Sequence, residues 1–190
     1  MALILASTSI IRRQMLDAAG VQYRAERPEV DEAAVKARLD DPEQVVGELA
    51  ALKACSIGGA DWAIGSDSVV SVDGCPFDKP ADRDQAEEHL RFFSGKTMLL
   101  TSAVALARDG AVDWHCIDCA KLEVRSLSDD FIHFYLDAEW PEVGYCVGVF
   151  RLEGRGVQLF DRIDGNYFTI LGMPLLPLLG ALRERGLVPR

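Results

Sequence analysis

The 190-residue sequence has no apolar run approaching the roughly 20 residues that would span a bilayer. A transmembrane helix is thereby excluded. The opening MALILASTSIIRR also lacks the basic leader and long apolar core of a secretory signal, since its apolar part is short and its charges come afterwards. A cytoplasmic location is the expectation. Basic residues are in deficit, 20 Lys and Arg against 30 Asp and Glu, for a formal net charge of −10. Over most of the surface that balance repels nucleic-acid polymers and anionic membranes, while a local cationic cluster can still hold a small anion. Cysteine is sparse and odd in number, five residues without the spacing of a disulfide framework, which suits a reducing compartment. No internal repeat or low-complexity linker divides the chain. With 49% hydrophobic and 26% charged residues, disorder is excluded and one continuous globular domain over residues 1–190 is expected.

What is present alternates strands and helices. Leu3 to Ala6 reads as a short buried strand, and Ser9 as the N-cap of a helix running to about Gly20. VQYRAERP reads as a second strand and DEAAVKARL as a short helix. PEQVVGELAALKACSIGG is a longer helix ended by Gly58 and Gly59. WAIGSDSVVSVDG is a buried strand leading to a turn at Asp73-Gly74, and DRDQAEEHLRFF a helix with an acidic start. Two long strands joined at Asp109-Gly110 form the strongest hairpin signal in the chain. A helix capped by Ser128 follows. GVFRLEGRGVQLFDRIDGNYFTIL reads as further strands with glycine turns, and PLLPLLGALRERG as a closing helix. The fold class is α/β, a mixed twisted sheet flanked by helices.

Four stretches place polar residues where a purely structural sequence would prefer others. In ASTSIIRR, Arg12 and Arg13 fall in the first turn of a helix, the end that carries partial positive charge. Cations there call for an anion nearby, and a helix N-terminus after a strand, with Ser7 and Ser9 beside it, is a ready phosphate site. Lys53 falls in the middle of the apolar arc formed by Val45, Val46, Leu49, Leu52 and Ile57, so it must either snorkel or meet an anion. Asp67 ends an apolar strand-like run, where a half-buried carboxylate needs a cation, a metal or a donor, and Lys79 follows before Pro80. In RPEVDEAAV, Asp31 reads as an N-cap, and Glu32 as dipole compensation unless Asp67 lies close by. In that case the two carboxylates suit a hard divalent cation such as Mg²⁺. No G-x-x-x-x-G-K-[ST] is present, so this is not a P-loop protein. Cys116 and Cys119 form a C-x-x-C beside His115, but they lie in one strand with no second pair. Two semi-buried thiols are expected, not a zinc or redox centre.

The ordered motifs L-A-S-T-S-x-x-R-R-x-x-L, D-E, K-A, I-G-S-D-S-V-V, D-G, K-P and S-G, followed by G-V-F-R-L-E-G-x-G and L-G-M-P-L, resemble the Maf-like nucleotide pyrophosphatases, historically called septum formation inhibitors. The resemblance covers essentially the whole chain. It implies an architecture like that of inosine triphosphate pyrophosphatases, with a cleft between two lobes, and metal-dependent hydrolysis of a nucleoside triphosphate to monophosphate and pyrophosphate. By position, Asp67 would be the catalytic carboxylate, and Glu32 with Asp67 would hold Mg²⁺ or Mn²⁺. Ser7, Ser9, Arg12, Arg13, Lys53 and Lys79 would bind phosphates. A homodimer is implied by the resemblance alone.

Ile11, Ser68 and Glu153 fall where the family varies with the base. The chain departs from the usual pattern at Ile10 (Pro), Ile11 (aromatic), Ser68 (Thr or Gln) and Met98 (His). Glu153 matches the 7-methyl-GTP branch, where the pyrimidine-preferring branch has Gln. A carboxylate can accept from guanine N–H groups or face a methylated, positively charged purine. The alternatives are a pyrimidine-preferring (dTTP/UTP) pyrophosphatase and a nucleotide-binding regulator that does not hydrolyse.

Overall fold

The architecture was obtained as a computed structural model, which describes residues 2–57 and 59–189. Its seven strands and seven α-helices follow the expected alternation. The strands are β1 (Leu3–Ala6), β2 (Arg24–Glu26), β3 (Trp62–Val72), β4 (Cys75–Phe77), β5 (Thr97–Arg108), β6 (Ala111–Val124) and β7 (Phe160–Asp164). The helices are α1 (Ile10–Ala18), α2 (Glu32–Lys36), α3 (Pro42–Cys55), α4 (Arg83–Phe93), α5 (Asp129–Glu139), α6 (Tyr167–Ile170) and α7 (Leu175–Glu184). The sheet is mixed, in the order β2-β1-β3-β5-β6-β7, with β4 also paired to β3. β1 is parallel to both β2 and β3, whereas β4 on β3 and β7 on β6 are antiparallel.

The chain gathers into two compact units, and β3, β5 and β6 give residues to both. The first holds the residues up to Ser68, Thr101–Asp118, and those from Asn166 onward. All four residues of β1 are buried, as a parallel strand covered on both faces requires. Leu3 and Leu5 join Ile64, Val104 and Leu106 in a core with Met15 and Leu16 of α1 and Leu178 and Leu182 of α7. The opposite face belongs to α3, which packs on β1. At Gly65 of β3 a Cβ atom would overlap the Ala50 carbonyl oxygen and the Ala54 amide nitrogen of α3. Only a residue without a side chain lets the helix lie this close to the strand.

The second unit comprises Val69–Leu100 and Cys119–Gly165. Here α4 and α5, capped by Asp82 and Ser128, pack against each other. Ion pairs from Arg91 to Asp129 (2.7 Å) and from Arg83 to Asp137 cross their exposed sides. Phe77, Phe93 and His89 form an aromatic cluster, with the His89 ring 5.1 Å from that of Phe77. His89 Nδ1 is buried without a hydrogen-bond partner. Burial therefore holds the His89 pKa below its ordinary 6.5. The unfolded chain then binds this proton more readily than the native one, so the contribution is intact above pH 6.5 and is lost as pH falls below it. His89→Leu is expected to shrink the drop in urea midpoint between pH 7.5 and pH 5.5; an unchanged drop would remove His89 as its source.

The structure departs from the sequence expectations in several places. β2 and α2 are shorter than expected. α3 stops at Cys55 with Ser56 as its C-cap, and the expected stop at Gly58 lies outside the described residues. Leu52 is 39% exposed, and its place in the apolar arc is taken by Ala50 and Ala54, which are small enough for the close approach to Gly65. The segment expected as strands from Gly148 to Leu171 holds only β7. The rest is 3-10 turns over Val147–Val149 and Arg155–Leu159, and helix α6. Gly148 (φ 80°) turns the chain there, and a Cβ at Gly156 would press on the Arg151 backbone. These glycines serve local compaction in place of hairpins. No disulfide forms among the described residues. Cys116 is half-buried as expected, but Cys119 is exposed, because alternation along β6 turns it to the other face.

Candidate functional site

The order β2-β1-β3 makes the carboxyl end of β1 a point where the connections diverge. The chain leaves through α1 to β2 on one side, and through α2 and α3 to β3 on the other. In open α/β sheets such a point leaves a crevice outside the strand ends where ligands bind. The segment Ser7–Arg13 begins there, and Ser66 to Ser68 extend β3 beyond the last residue paired with β1, the Ala6–Gly65 partnership.

At Ser9 the chain enters α1 through an N-cap whose hydroxyl accepts from the Arg12 amide at 3.5 Å. The buried Ser7 hydroxyl in turn accepts from the Ser9 amide at 3.1 Å. Arg12 is then turned inward. Its Nη1 donates to the Ser66 carbonyl (2.9 Å), which β1 has stopped too early to pair, its Nε to the Gly172 carbonyl (2.9 Å) and its Nη2 to Ser68 Oγ (3.1 Å). Burial lowers the pKa of this guanidinium, while the charges of Asp67 and Glu32 push it back up. Arg13 is exposed, with Nη2 donating to the Thr8 carbonyl at 3.3 Å. The half-buried Ile11 lies in the same first turn.

On the other side of β3, the contact at Gly65 seats Lys53, which stands between Ala50 and Ala54, over Asp67. The Lys53 ammonium lies 2.6 Å from Asp67 Oδ1 and 2.7 Å from Glu32 Oε1. Lys53 and Asp67 are 6% and 7% exposed, whereas the Glu32 side chain is about half exposed. The condition attached to Glu32, that Asp67 should lie nearby, is met. Lys53 does not snorkel; it bridges two carboxylates. The unit thus brings Arg12, Glu32, Lys53, Asp67, Ser7 and Ser9 together at one strand end.

Lys79 and Glu153 belong to the second unit, where both are exposed and lie within electrostatic range of Cys146. Burial, with Glu153 adding to it, pushes that thiol up to about 11. A feature the sequence did not suggest is the Glu139 carboxylate, 6% exposed, which accepts from Arg151 Nη2 at 2.8 Å. Also unforeseen in the first unit are the polar groups beneath Arg12: Ser66, Ser102, Thr169 and the Gly172 carbonyl. The available signal was a set of hydroxyls inside otherwise apolar strands, since buried polar groups must be paired with something.

A family model described as Maf-like protein matches residues 2–185. The chain belongs to this family. It is 45% identical to the 7-methyl-GTP pyrophosphatase of Rhizobium etli, across 98% of this chain and 97% of that protein. It is 42% identical to the nucleoside triphosphate pyrophosphatase of Sphingopyxis alaskensis, with both chains covered in full. A protein of the same name from Paramagnetospirillum magneticum is 43% identical over 98% of this chain and all of its own. The constellation at the end of β1 is therefore that of a Maf-like chain, built from residues of a single compact unit.

Proposed function

We propose that the chain is a nucleoside triphosphate pyrophosphatase, hydrolysing the anhydride between the α- and β-phosphates to release a monophosphate and pyrophosphate. The observation that carries this reading is the buried Lys53–Asp67 pair joined to Glu32 beside a fixed Arg12. Asp67 takes a proton from the attacking water, which becomes the new oxygen on phosphorus as the other phosphate departs. An ammonium has three protons, and in Lys53 two of them serve Glu32 and Asp67, leaving the third for a phosphate oxygen. Arg12 and Arg13, with the N–H groups opening α1 and the hydroxyls of Ser7 and Ser9, face the charge of the triphosphate. By its place in the K-P motif, Lys79 is proposed as a further phosphate ligand.

Glu32 and Asp67 converge closely enough to share one cation, as their joint hold on the Lys53 ammonium supports. They suit Mg²⁺ or Mn²⁺, which take one or two carboxylates and complete their shell with phosphate oxygens and water. When bound, such an ion would offset phosphate charge. Among the described residues no group of three or more His, Cys, Asp or Glu forms a larger metal site.

The base is proposed to be a modified purine of the 7-methyl-GTP kind, with Ile11, Ser68 and Glu153 as the residues that set the preference. Glu153 and two relatives, 45% and 42% identical, that are 7-methyl-GTP pyrophosphatases support this. No helix is long and apolar enough to cross a membrane among the described residues. A cytoplasmic homodimer acting on a free nucleotide is the setting proposed. The test is a panel of canonical and methylated triphosphates with Mg²⁺ or Mn²⁺, scored for monophosphate and pyrophosphate. The expected outcome is pyrophosphate release with 7-methyl-GTP ahead of dTTP and UTP. Orthophosphate alone, or binding without turnover, would overturn hydrolysis at this bond.

A further inference from the structure

Arg12 is held from below by a chain of hydroxyls. Its Nη2 donates to Ser68 Oγ at 3.1 Å, and Ser68 Oγ lies 2.8 Å from Ser102 Oγ. Ser102 Oγ donates its only proton to the Thr169 carbonyl at 2.8 Å. With Ser102 donating there, the proton between the two serines comes from Ser68, which also lies within bonding distance of the Gly172 carbonyl at 3.1 Å. The order runs Arg12 to Ser68 to Ser102 to Thr169, each hydroxyl accepting once and donating once. Ser102 and Thr169 are both 0% exposed, so this end of the chain is closed to water. The Thr169 hydroxyl donates to Asp118 Oδ2 at 2.5 Å, which pins α6 and with it the final acceptor.

We infer that Ser102 is a positioning residue for Arg12, fixing through Ser68 the plane in which the guanidinium meets phosphate. The inference rests on the proposed phosphate role of Arg12. Of the five N–H protons of that group, three are spent on Gly172, Ser66 and Ser68, which leaves two for a ligand. Their direction is set by the three acceptors that hold the plane. Without the Ser102 hydroxyl, the Ser68 proton turns to the Gly172 carbonyl, 3.1 Å away, which already accepts from Arg12 Nε and faces Ser66 Oγ at 3.0 Å. That crowding competes with the Arg12 bond and frees the guanidinium to tilt.

The test uses inorganic tripolyphosphate, titrated calorimetrically into the full chain. Ser102→Ala is expected to weaken its binding about fivefold, the worth of one neutral hydrogen bond. In an Arg12→Lys background the same substitution is expected to have less than a twofold effect, because the residue through which it acts has gone. Ser102→Cys keeps most of the volume and weakens the hydrogen bond. It should move binding in the same direction, and serves if the alanine variant does not fold. Unchanged tripolyphosphate affinity, or an equal loss in both backgrounds, would overturn the inference. A wild-type chain that binds tripolyphosphate and turns over no nucleoside triphosphate would overturn the proposed hydrolysis instead, with the double-variant comparison still readable.

Discussion

Asp67→Asn should lower turnover by about 10²- to 10⁴-fold, the usual range for removing a general base, while nucleotide still binds. The amide has nearly the shape of the carboxylate and can accept a hydrogen bond from Lys53, but it does not take a proton from water at neutral pH. Lys53 keeps Glu32 as an ionic partner 2.7 Å away, so the helix that carries it should stay seated. The measurement is single-turnover pyrophosphate release at saturating nucleotide, alongside calorimetric binding of the same nucleotide. Near-normal turnover would take Asp67 out of the chemistry. Joint loss of binding and turnover would recast it as an anchor for Lys53.

Lys53→Met should have the largest effect on stability. The thioether side chain keeps most of the apolar stem, yet it removes the cation that bridges Asp67 and Glu32, with the Asp67 side chain only 10% exposed. Removing one partner of a buried ion pair typically costs about 3–5 kcal/mol, because the remaining charge stays desolvated. Here a second carboxylate faces it as well. The expected result is a marked fall in urea midpoint and loss of activity. Millimolar Mg²⁺ or Mn²⁺ should recover part of the stability, since an ion that binds only the native pair stabilises by mass action. A variant as stable as wild type would mean that the pair is solvated in solution. A variant that the metals do not stabilise would argue against Glu32 and Asp67 as a shared cation site.

How far this site was legible depended on how local its determinants are. Ser9, Ser128 and the Asp109-Gly110 turn are short-range signals, and each stands where the sequence put it; Asp109 and Gly110 have the paired positive φ values (52° and 76°) of a two-residue hairpin turn. Lys53 was legible because a charge inside an apolar arc demands a partner, although the sequence did not say which. Its partners are 14 residues ahead and 21 behind, joined through a helix-strand contact that only the fold creates. The support under Arg12 was legible only as hydroxyls inside apolar strands, without their partners. Two of its acceptors are the carbonyl groups of Ser66 and Gly172, which every residue type possesses. In the segment from Gly148 to Leu171, glycines that resembled hairpin turns instead bend 3-10 turns, since close packing around Arg151 outweighs the alternating apolar pattern.

Gly65 lends the site a property that no charged residue supplies. The spacing between strand and helix is set there by a missing atom, and two residues further along the same face stands Asp67, with Lys53 held between the two helix residues that fill the gap. Pushing α3 outward by the width of a methyl group would lengthen the ionic contact between Lys53 and Asp67. Packing and reactivity are therefore read from one ruler: a variant that swells the interior at this point should lose activity at temperatures where its fold still survives.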